Sequence, residues 1–591
     1  MSGFVAVISA PRHPVRDQEI ERLASAYESV RGPGERHTAS GGDQVRLVKF
    51  DLPSSGRPGI EWTGRSWGVA VGTVYPQRSL LGARLEELDG QFALLTYDAD
   101  QKEVVIASDP FGMQPLYVAE RDGAAFVSTS AMAIAKSLGS PASHLGLTSY
   151  VRTGYHFGAA THWEGIRRLD PAICIRYRNG RATETCYWRP EVDRTVNRLD
   201  FEGALGRCLQ VSVETFRQYL APQGPTWADL SGGFDTRLIC VLLAEAGVPF
   251  IAETRETRLP EDAIIASDVA RAGGWDWLRV AVPREWETAL PELVPVSLGW
   301  ADGTLDAIDL ARFLSAHRIL ASGPRSILNG VGGGHFRGHS WRQEFTREGR
   351  SNRINMDRLL DMRMIHPMDT SIFRVDPTRD IREDSRARLL AWGEPYRDEL
   401  DTVQLDVLHA YKMMGHGGAY CAADAAFLRA ELPFYYKPLF TTAFSVDFRH
   451  RNQHKLMRHM IEALDPRVAA VRTETGGPAQ AWRASNFYRF IPYYAKIGRK
   501  AANKLGEKAT GRSLLAPKPV VLPGIATGVS SFLRRQHLRA AEMRSGSLYD
   551  ARTLDRLLTA AERPGARPSD LVGRIVTAEL ALRAAGSTLG R

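Results

Sequence analysis

Residues 228–236 read Ala-Asp-Leu-Ser-Gly-Gly-Phe-Asp-Thr, an apolar strand-like run that enters a Ser-Gly-Gly turn and leaves as a helix. Two adjacent glycines let the backbone take positive φ and approach a ligand closely. The free amides of a helix start and the hydroxyls of Ser231 and Thr236 can then surround an anion. The chemistry on offer is phosphate binding. Behind the turn, Leu238, Ile239, Leu242, Leu243 and Ala246 share one apolar helix face and Gly247 supplies a stop. No lysine follows the glycines, so this is not the loop of kinases and GTPases. The same turn would also serve as a plain strand-to-helix connection, and the residues alone leave both readings open.

A second group of reactive side chains follows in Ser-Ile-Leu-Asn-Gly-Val-Gly-Gly-Gly-His-Phe-Arg-Gly, residues 326–338. His335 and Arg337, with the charged pair Arg429 and Glu431, could supply acid, base or charge stabilisation. The plainer readings are a surface or supporting histidine and an ion pair at a helix end.

The elements that must hold these residues are legible as texture. From Phe4 to about Trp188 short β-rich segments alternate with Gly, Pro and Asp, and 91–98, 103–108 and 125–128 read as strands. After Leu199 strand and helix alternate: a strand over 226–230, a helix over 235–246, a strand over 250–253, a helix over 261–272 and a strand over 278–282. That order implies a parallel, doubly wound sheet. From about Leu405 the chain is mostly helical, with Ser569 as the N-cap of a last helix reaching about Ala585.

Composition bounds the rest. With 591 residues, 44% hydrophobic and 24% charged, the chain is too long for one core and too apolar for disorder. No apolar run approaches the ~18 residues of a membrane span, and Met1 to Pro11 lacks a secretory pattern, so no membrane and a cytoplasmic location are expected. The five cysteines lack metal-type spacing and read as reduced core thiols. Part of the net charge of +9 gathers in Lys496, Arg499, Lys500, Lys504, Lys508, Arg512 and Lys518. Without interleaved aromatics this is read as a solvated helix face, and no nucleic-acid partner is expected.

Ser231-Gly-Gly-Phe-Asp-Thr236 resembles the SGGxDS signature of the ATP-pyrophosphatase fold in asparagine synthetases, and the likeness extends along the chain. Leu88 to Ala93 with Asp98, and Ser108 to Tyr117, look like that family's glutaminase core. Gly165 to Pro171 and Tyr187-Trp188 resemble its closing segment, Asp262 to Gly273 the helix after the second synthetase strand, and Leu432-Pro433-Phe434 its PFLD segment. Gly573 to Arg583 resembles its terminal helix. The resemblance implies an α/β and α+β protein in two domains. Residues 1–195 would form an Ntn-hydrolase-like αββα sandwich, and 196–591 a PP-loop ATP-pyrophosphatase domain, helical from about 490. It also implies an ATP site of Leu230, Ser231, Gly232, Gly233, Asp235, Thr236, Gly330 and Gly332, with Asp235 on Mg2+. A hard cation bridging a carboxylate and phosphate oxygens is chemically sound.

The departures shape the expected activity. The family's glutaminase uses an N-terminal cysteine, whereas here Ser2 follows Met1, and its Asn-Gly-Glu strand is replaced by Val71-Gly72-Thr73-Val74-Tyr75. A serine hydroxyl is a far poorer nucleophile than a thiol at neutral pH. In the synthetase part Val331 stands where an acidic or tyrosine residue is expected, Gly334 where a second magnesium aspartate is expected, and 472–478 lacks the family's lysine. A silent glutaminase domain beside a synthetase domain resembles β-lactam synthetases and lasso-peptide cyclases. Those enzymes adenylate a carboxylate for attack by an amine of the same molecule, a tethering worth up to about 7–11 kcal/mol. The expectation is an ATP-dependent amide ligase without glutamine hydrolysis, in natural-product biosynthesis. Its substrate is a small molecule or peptide, with a leader-peptide-binding or protease partner. Ammonia-dependent amidation of a sugar acid or peptide carboxylate is the alternative within enzymes, and a nucleotide-binding scaffold the alternative outside them.

Overall fold

In the computed structural model the described residues are 3–9, 14–53, 56–255, 260–283, 286–344, 348–365, 368–499, 527–563, 566 and 569–589. Ser2 and the basic residues from Lys500 to Lys518 lie outside them. The first strands are β1 (Gly3–Ser9), β2 (Glu35–Gly41), β3 (Val45–Asp51), β4 (Glu61–Thr63), β5 (Ser66–Tyr75) and β6 (Asp89–Asp98). They continue as β7 (Glu103–Ser108), β8 (Tyr117–Arg121), β9 (Ala124–Ser128), β10 (Ile166–Arg168), β11 (Ile173–Arg178) and β12 (Arg181–Cys186). Two six-stranded sheets result, ordered β10-β8-β9-β1-β3-β2 and β12-β11-β7-β6-β5-β4, with antiparallel neighbours.

Residues of β1 alternate between two cores. Phe4, Ala6 and Ile8 meet Leu47, Val71, Leu95 and Ile106 between the sheets, while Val5 and Val7 meet the helices Asp17–Arg31 and Ala131–Leu138 on the outer side. With both faces covered, the strand reads as an unbroken apolar run.

The first sheet carries a layer of helices on its outer side. The outer face of the second sheet closes over Leu80, Leu85 and Leu88, and the buried cluster there contains no α-helical residue. That loop has a single 3₁₀ turn, Leu85–Glu87, whose leucine supplies the apolar cover a helix would have given.

The second half is built on β13 (Thr226–Asp229), β14 (Phe250–Arg255), β15 (Trp277–Val280), β16 (Ser326–Leu328) and β17 (Arg429–Glu431). These are parallel and ordered β15-β14-β13-β16-β17. Ala228, Ala252 and Leu328 pack on helices Phe201–Tyr219, Asp235–Ala246 and Lys455–Leu464, whereas Trp227 and Ile327 pack on helices Ala307–Leu320 and Asp401–Asp424. The sheet is therefore covered on both faces, the doubly wound arrangement that alternating strand and helix produces.

The two halves interlock. Helices Leu290–Trp300, Ala307–Leu320 and Asp570–Ala585 share one core with the helices of the first sheet. The buried Arg31 guanidinium lies 2.9 Å from Asp302. The last helix begins at Ser569, whose side chain accepts from the Val572 amide, and ends at Gly586 in the left-handed conformation. Four cysteines are buried free thiols, but Cys186 is exposed on the edge strand β12, so it is not the core thiol expected of it. Among the described residues no helix is long and apolar enough to cross a membrane.

Candidate functional site

The strand order reverses between β13 and β16, which opens a crevice at their carboxyl ends where open α/β sheets take their ligands. Two loops meet there, Leu230–Thr236 after β13 and Asn329–Arg337 after β16. Leu230 is fixed by its amide donating to the Glu253 carbonyl at 2.8 Å and its carbonyl accepting from Thr254 Oγ1 at 2.6 Å. Ser231 donates its amide to Thr236 Oγ1 at 3.0 Å, and the Gly233 amide donates to Ser231 Oγ at 3.2 Å. The Gly330 backbone lies so close that a Cβ there would stand 2.8 Å from Thr236 Cγ2. Gly332 has φ +100°, and a Cβ on it would stand 2.6 Å from Tyr435 Cε2, so both conformation and space require glycine. The structure thus brings together all eight residues named for the nucleotide.

Asp235 opens the helix behind the loop. Its Oδ2 accepts from Arg337 Nη2 at 2.7 Å, while its Oδ1 is buried without a hydrogen-bond partner. Burial raises its carboxyl above the usual range and Arg337 pulls it partly back. A Cβ at Gly333 would lie 2.5 Å from Asp235 Cγ, so glycine makes room for this carboxylate. No group of three or more His, Cys, Asp or Glu among the described residues could hold a metal alone. The orphaned Oδ1 does fit magnesium carried chiefly by nucleotide oxygens, for which one carboxylate suffices.

Two residues named as catalytic are elsewhere. His335 is 1% exposed, its ring 4.4 Å from Phe440 and 5.7 Å from Tyr435, with neither nitrogen hydrogen-bonded. Burial, then Arg451 and His339, lower it to about 3, so it stays neutral and faces an aromatic layer rather than the crevice. Glu431 lies in β17, not at a helix end, and is 1% exposed. It accepts from Tyr75 at 2.8 Å and Tyr436 at 2.6 Å, with Arg429 Nε 3.2 Å from its other oxygen. This pair is a clamp between the two halves, joined by Gln91, which exchanges two hydrogen bonds with Leu432 at 3.0 and 3.1 Å. Tyr75 also stacks on Tyr219 at 4.3 Å, so the strand where the family places Asn-Gly-Glu presents an aromatic joint.

Several neighbours escaped the sequence reading. Asp262, in the first turn of helix Pro260–Gly273, accepts from the Gly232 amide at 2.6 Å, occupying a backbone donor of the Ser-Gly-Gly turn. The Glu474 amide donates to the Gly232 carbonyl at 3.0 Å and Lys496 Nζ donates to the Glu474 carbonyl at 2.7 Å, bringing a lysine to the segment that lacks one. Beside β13 and β14, Arg255 lies 3.3 Å from Asp229 and 3.1 Å from Glu253, with His317 3.2 Å from Asp424. Burial pushes Glu253 up to about 8 and Asp424 to about 7. The acid-rich Pro-Glu-Asp start of the second helix was the available signal for Asp262. The Arg255 group had none, because its members come from four separate elements.

Residues 74–188 match the glutamine amidotransferase domain family. Over 222 residues the chain is 26% identical to candidate glutamine-hydrolysing asparagine synthetases of Mycobacterium bovis and Mycobacterium tuberculosis, covering 36% of this chain and 34% of each relative. The alignment thus spans about a third of the length of these curated relatives. Together the matches support an asparagine-synthetase-like affiliation. Among solved structures, glutamine phosphoribosylpyrophosphate amidotransferase of B. subtilis is 12% identical, covering 42% of this chain and 65% of its own, with a TM-score of 0.22. NMN synthetase of Francisella tularensis is 14% identical, covering 24% and 58%, with a TM-score of 0.18.

Proposed function

We propose that this chain is an ATP-dependent carbon–nitrogen ligase of the asparagine-synthetase-like kind. It adenylates a carboxylate with release of pyrophosphate, and an amine then attacks the acyl carbon and expels AMP, without hydrolysis of glutamine. The observation that carries the reading is the convergence of Ser231–Thr236 and Gly330–Arg337 at the carboxyl ends of β13 and β16. Loop amides with the Ser231 and Thr236 hydroxyls bind phosphate oxygens, and the Lys496 ammonium, linked to Gly232 through the Glu474 backbone, offsets charge on the departing pyrophosphate. Magnesium, when bound through Asp235 Oδ1, neutralises nucleotide charge. The amine comes from the substrate itself, giving a lactam or macrolactam as in lasso-peptide cyclases, because the Tyr75–Tyr219 joint supports no glutamine pocket on that strand. Free ammonia is the competing donor.

A non-catalytic scaffold is the second reading, favoured by one feature: Asp262 caps the Gly232 amide and Arg337 caps Asp235, so the loop is closed by its own side chains. The deciding measurement is pyrophosphate release from ATP and magnesium with a panel of amino acids bearing a second carboxylate and of acidic peptides. Substrate-dependent release that falls about 100-fold in Asp235→Asn supports the ligase, on the scale of losing a charge-stabilising group. Nucleotide binding without release from any candidate supports the scaffold, and glutamate formed from glutamine sinks the glutamine-independent reading.

A further inference from the structure

Residues 484–499 run over the surface beside the loop 473–477. Ala484–Phe490 is a 3₁₀ turn and 491–499 are helical. The inner side of this stretch is fixed to the fold. Phe490 is buried, Asn486 Nδ2 donates to the Ala481 carbonyl at 2.9 Å and Arg489 Nη2 donates to the Ala470 carbonyl at 2.8 Å. The outer side is apolar. Trp482, Phe487, Tyr488, Ile491, Tyr494 and Ile497 are 44% to 68% exposed, and they are six of the fifteen exposed large apolar side chains among the described residues. Phe487, Ile491, Tyr494 and Ile497 follow at spacings of four, three and three, which sets them in one stripe. A solvated helix face, expected for the basic segment that starts at Lys496, would carry no such stripe. Apolar side chains gathered on a surface mark a contact.

Charge narrows what that contact is. Between Arg483 and Lys518 the sequence has nine basic residues and a single acid, Glu507, so nearly the whole formal net charge of +9 falls in this stretch. Arg499 stands exposed two residues after Ile497. A second copy of the chain would set like charge against like charge across the stripe, which opposes self-association. A nucleic acid needs open ring faces on which bases stack. Here the rings turn edges onto one another, Trp482 and Phe487 at 6.3 Å and 82°, Tyr493 and Tyr494 at 5.3 Å and 70°, and Ile491 and Ile497 offer nothing to stack on. Tryptophan, tyrosine and isoleucine beside lysine and arginine are instead the make-up of a helix that lies in the headgroup plane of an anionic lipid layer. Such attachment needs no membrane-spanning helix.

We propose that the stripe over 482–497 is a peripheral attachment surface for anionic membranes, its apolar side chains entering the headgroup boundary while the adjoining basic residues meet the lipid charge. This stands apart from the ligase reading. A Cβ on Gly477 would stand 3.1 Å from Phe490 Cδ1, and one on Gly476 3.3 Å from the Pro492 carbonyl carbon, so the stripe packs on the loop whose Glu474 amide meets Gly232. Attachment would bring that loop to the lipid surface.

The test is co-sedimentation of the full chain, at physiological ionic strength, with vesicles of phosphatidylcholine alone and of equal parts phosphatidylcholine and phosphatidylglycerol. We expect the mixed vesicles to bind at least about tenfold more tightly, since each basic residue at an anionic surface contributes about fivefold. The double variant Ile491→Ser, Ile497→Ser should lose about tenfold or more, Arg499→Gln about fivefold, and Ile491→Leu nothing. Ile264→Ser, at an exposed isoleucine on another helix, should bind as the parent does. The substituted side chains are exposed, so melting temperature and circular dichroism should match the parent in every variant. Sedimentation with neither vesicle, equal sedimentation with both, or binding untouched by the double variant overturns the proposal. Without vesicle binding, a dimer lost in the double variant assigns the stripe to a second copy. Salt-sensitive binding of polyglutamate or of a single-stranded oligonucleotide, lost in the same variant, assigns it to a macromolecule. Either result also overturns the membrane surface.

Discussion

Arg337 Nη2 lies 2.7 Å from Asp235 Oδ2, so a guanidinium from the loop after β16 holds the single carboxylate of the loop after β13. The two loops are joined by charge at the point where phosphates would arrive. The other oxygen of Asp235 has no hydrogen-bond partner, and under the proposed ligase reading a cation bound there would release Arg337 for an anion.

Asp235→Asn should therefore abolish the magnesium dependence of ATP binding, while Arg337→Gln should weaken ATP about tenfold with magnesium present, the worth of one charge-assisted bond, and change it little without magnesium. Fluorescent-nucleotide titration with and without magnesium checks both. An Asp235→Asn protein that still gains from magnesium as the parent does would put the metal elsewhere.

Asp262 sets a carboxylate oxygen 2.6 Å from the Gly232 amide, which under the proposed reading would donate to a phosphate. Its replacement by alanine frees that donor and removes a like charge. Inorganic pyrophosphate should then bind about tenfold more tightly, and calorimetry would read the gain. Weaker binding in the variant would mean that Asp262 shapes the loop and does not obstruct it.

Glu431 is clamped by Tyr75 and Tyr436. Hydrogen bonds to a charged group contribute about 1.5–3 kcal/mol each, so Tyr75→Phe should cost roughly that much and Glu431→Ala more, since it strands two buried hydroxyls. Denaturant unfolding of the single and double variants measures it. Purely additive losses would show that the tyrosine and the glutamate are not coupled.

Burial raises the folded-state pKa of Glu253 to about 8. A carboxyl shifted upward stabilises the fold fully below its unfolded value of about 4.3, and that contribution is lost as pH climbs through about 8. Asp424, raised to about 7, acts in the same direction. Glu253→Gln keeps the neutral shape at every pH and should flatten the fall in melting temperature between pH 5 and 9. An unchanged slope in the variant would assign the pH response to other groups.

The helix Asp235–Ala246 is found at the bounds its periodicity and Gly247 indicate, and alternation of strand and helix foretells the parallel sheet. Those signals are local. Glu431 was misplaced because β17 is three residues long, too short to show a period of two, and its tyrosine partner is 356 positions away. His335 carries the same letter whether it faces a ligand or Phe440, and only packing tells the two apart. The cover of the second sheet was hidden for a related reason: three leucines in a loop can cover a sheet as a helix would, and no helical period marks them.

The clamp at Glu431 bears on how freely the chain could be shortened. Deleting the first sheets would leave a buried carboxylate without its Tyr75 hydroxyl, the Leu432 amide and carbonyl without Gln91, and Asp302 without Arg31. The losses at Glu431 and Leu432 fall on β17 and the turn that follows it, beside the loop after β16, so a trimmed second half would lose the edge of its own site. The first domain would then be indispensable in place whatever its chemistry, and a heterologously expressed fragment beginning near residue 200 should be insoluble before it is inactive.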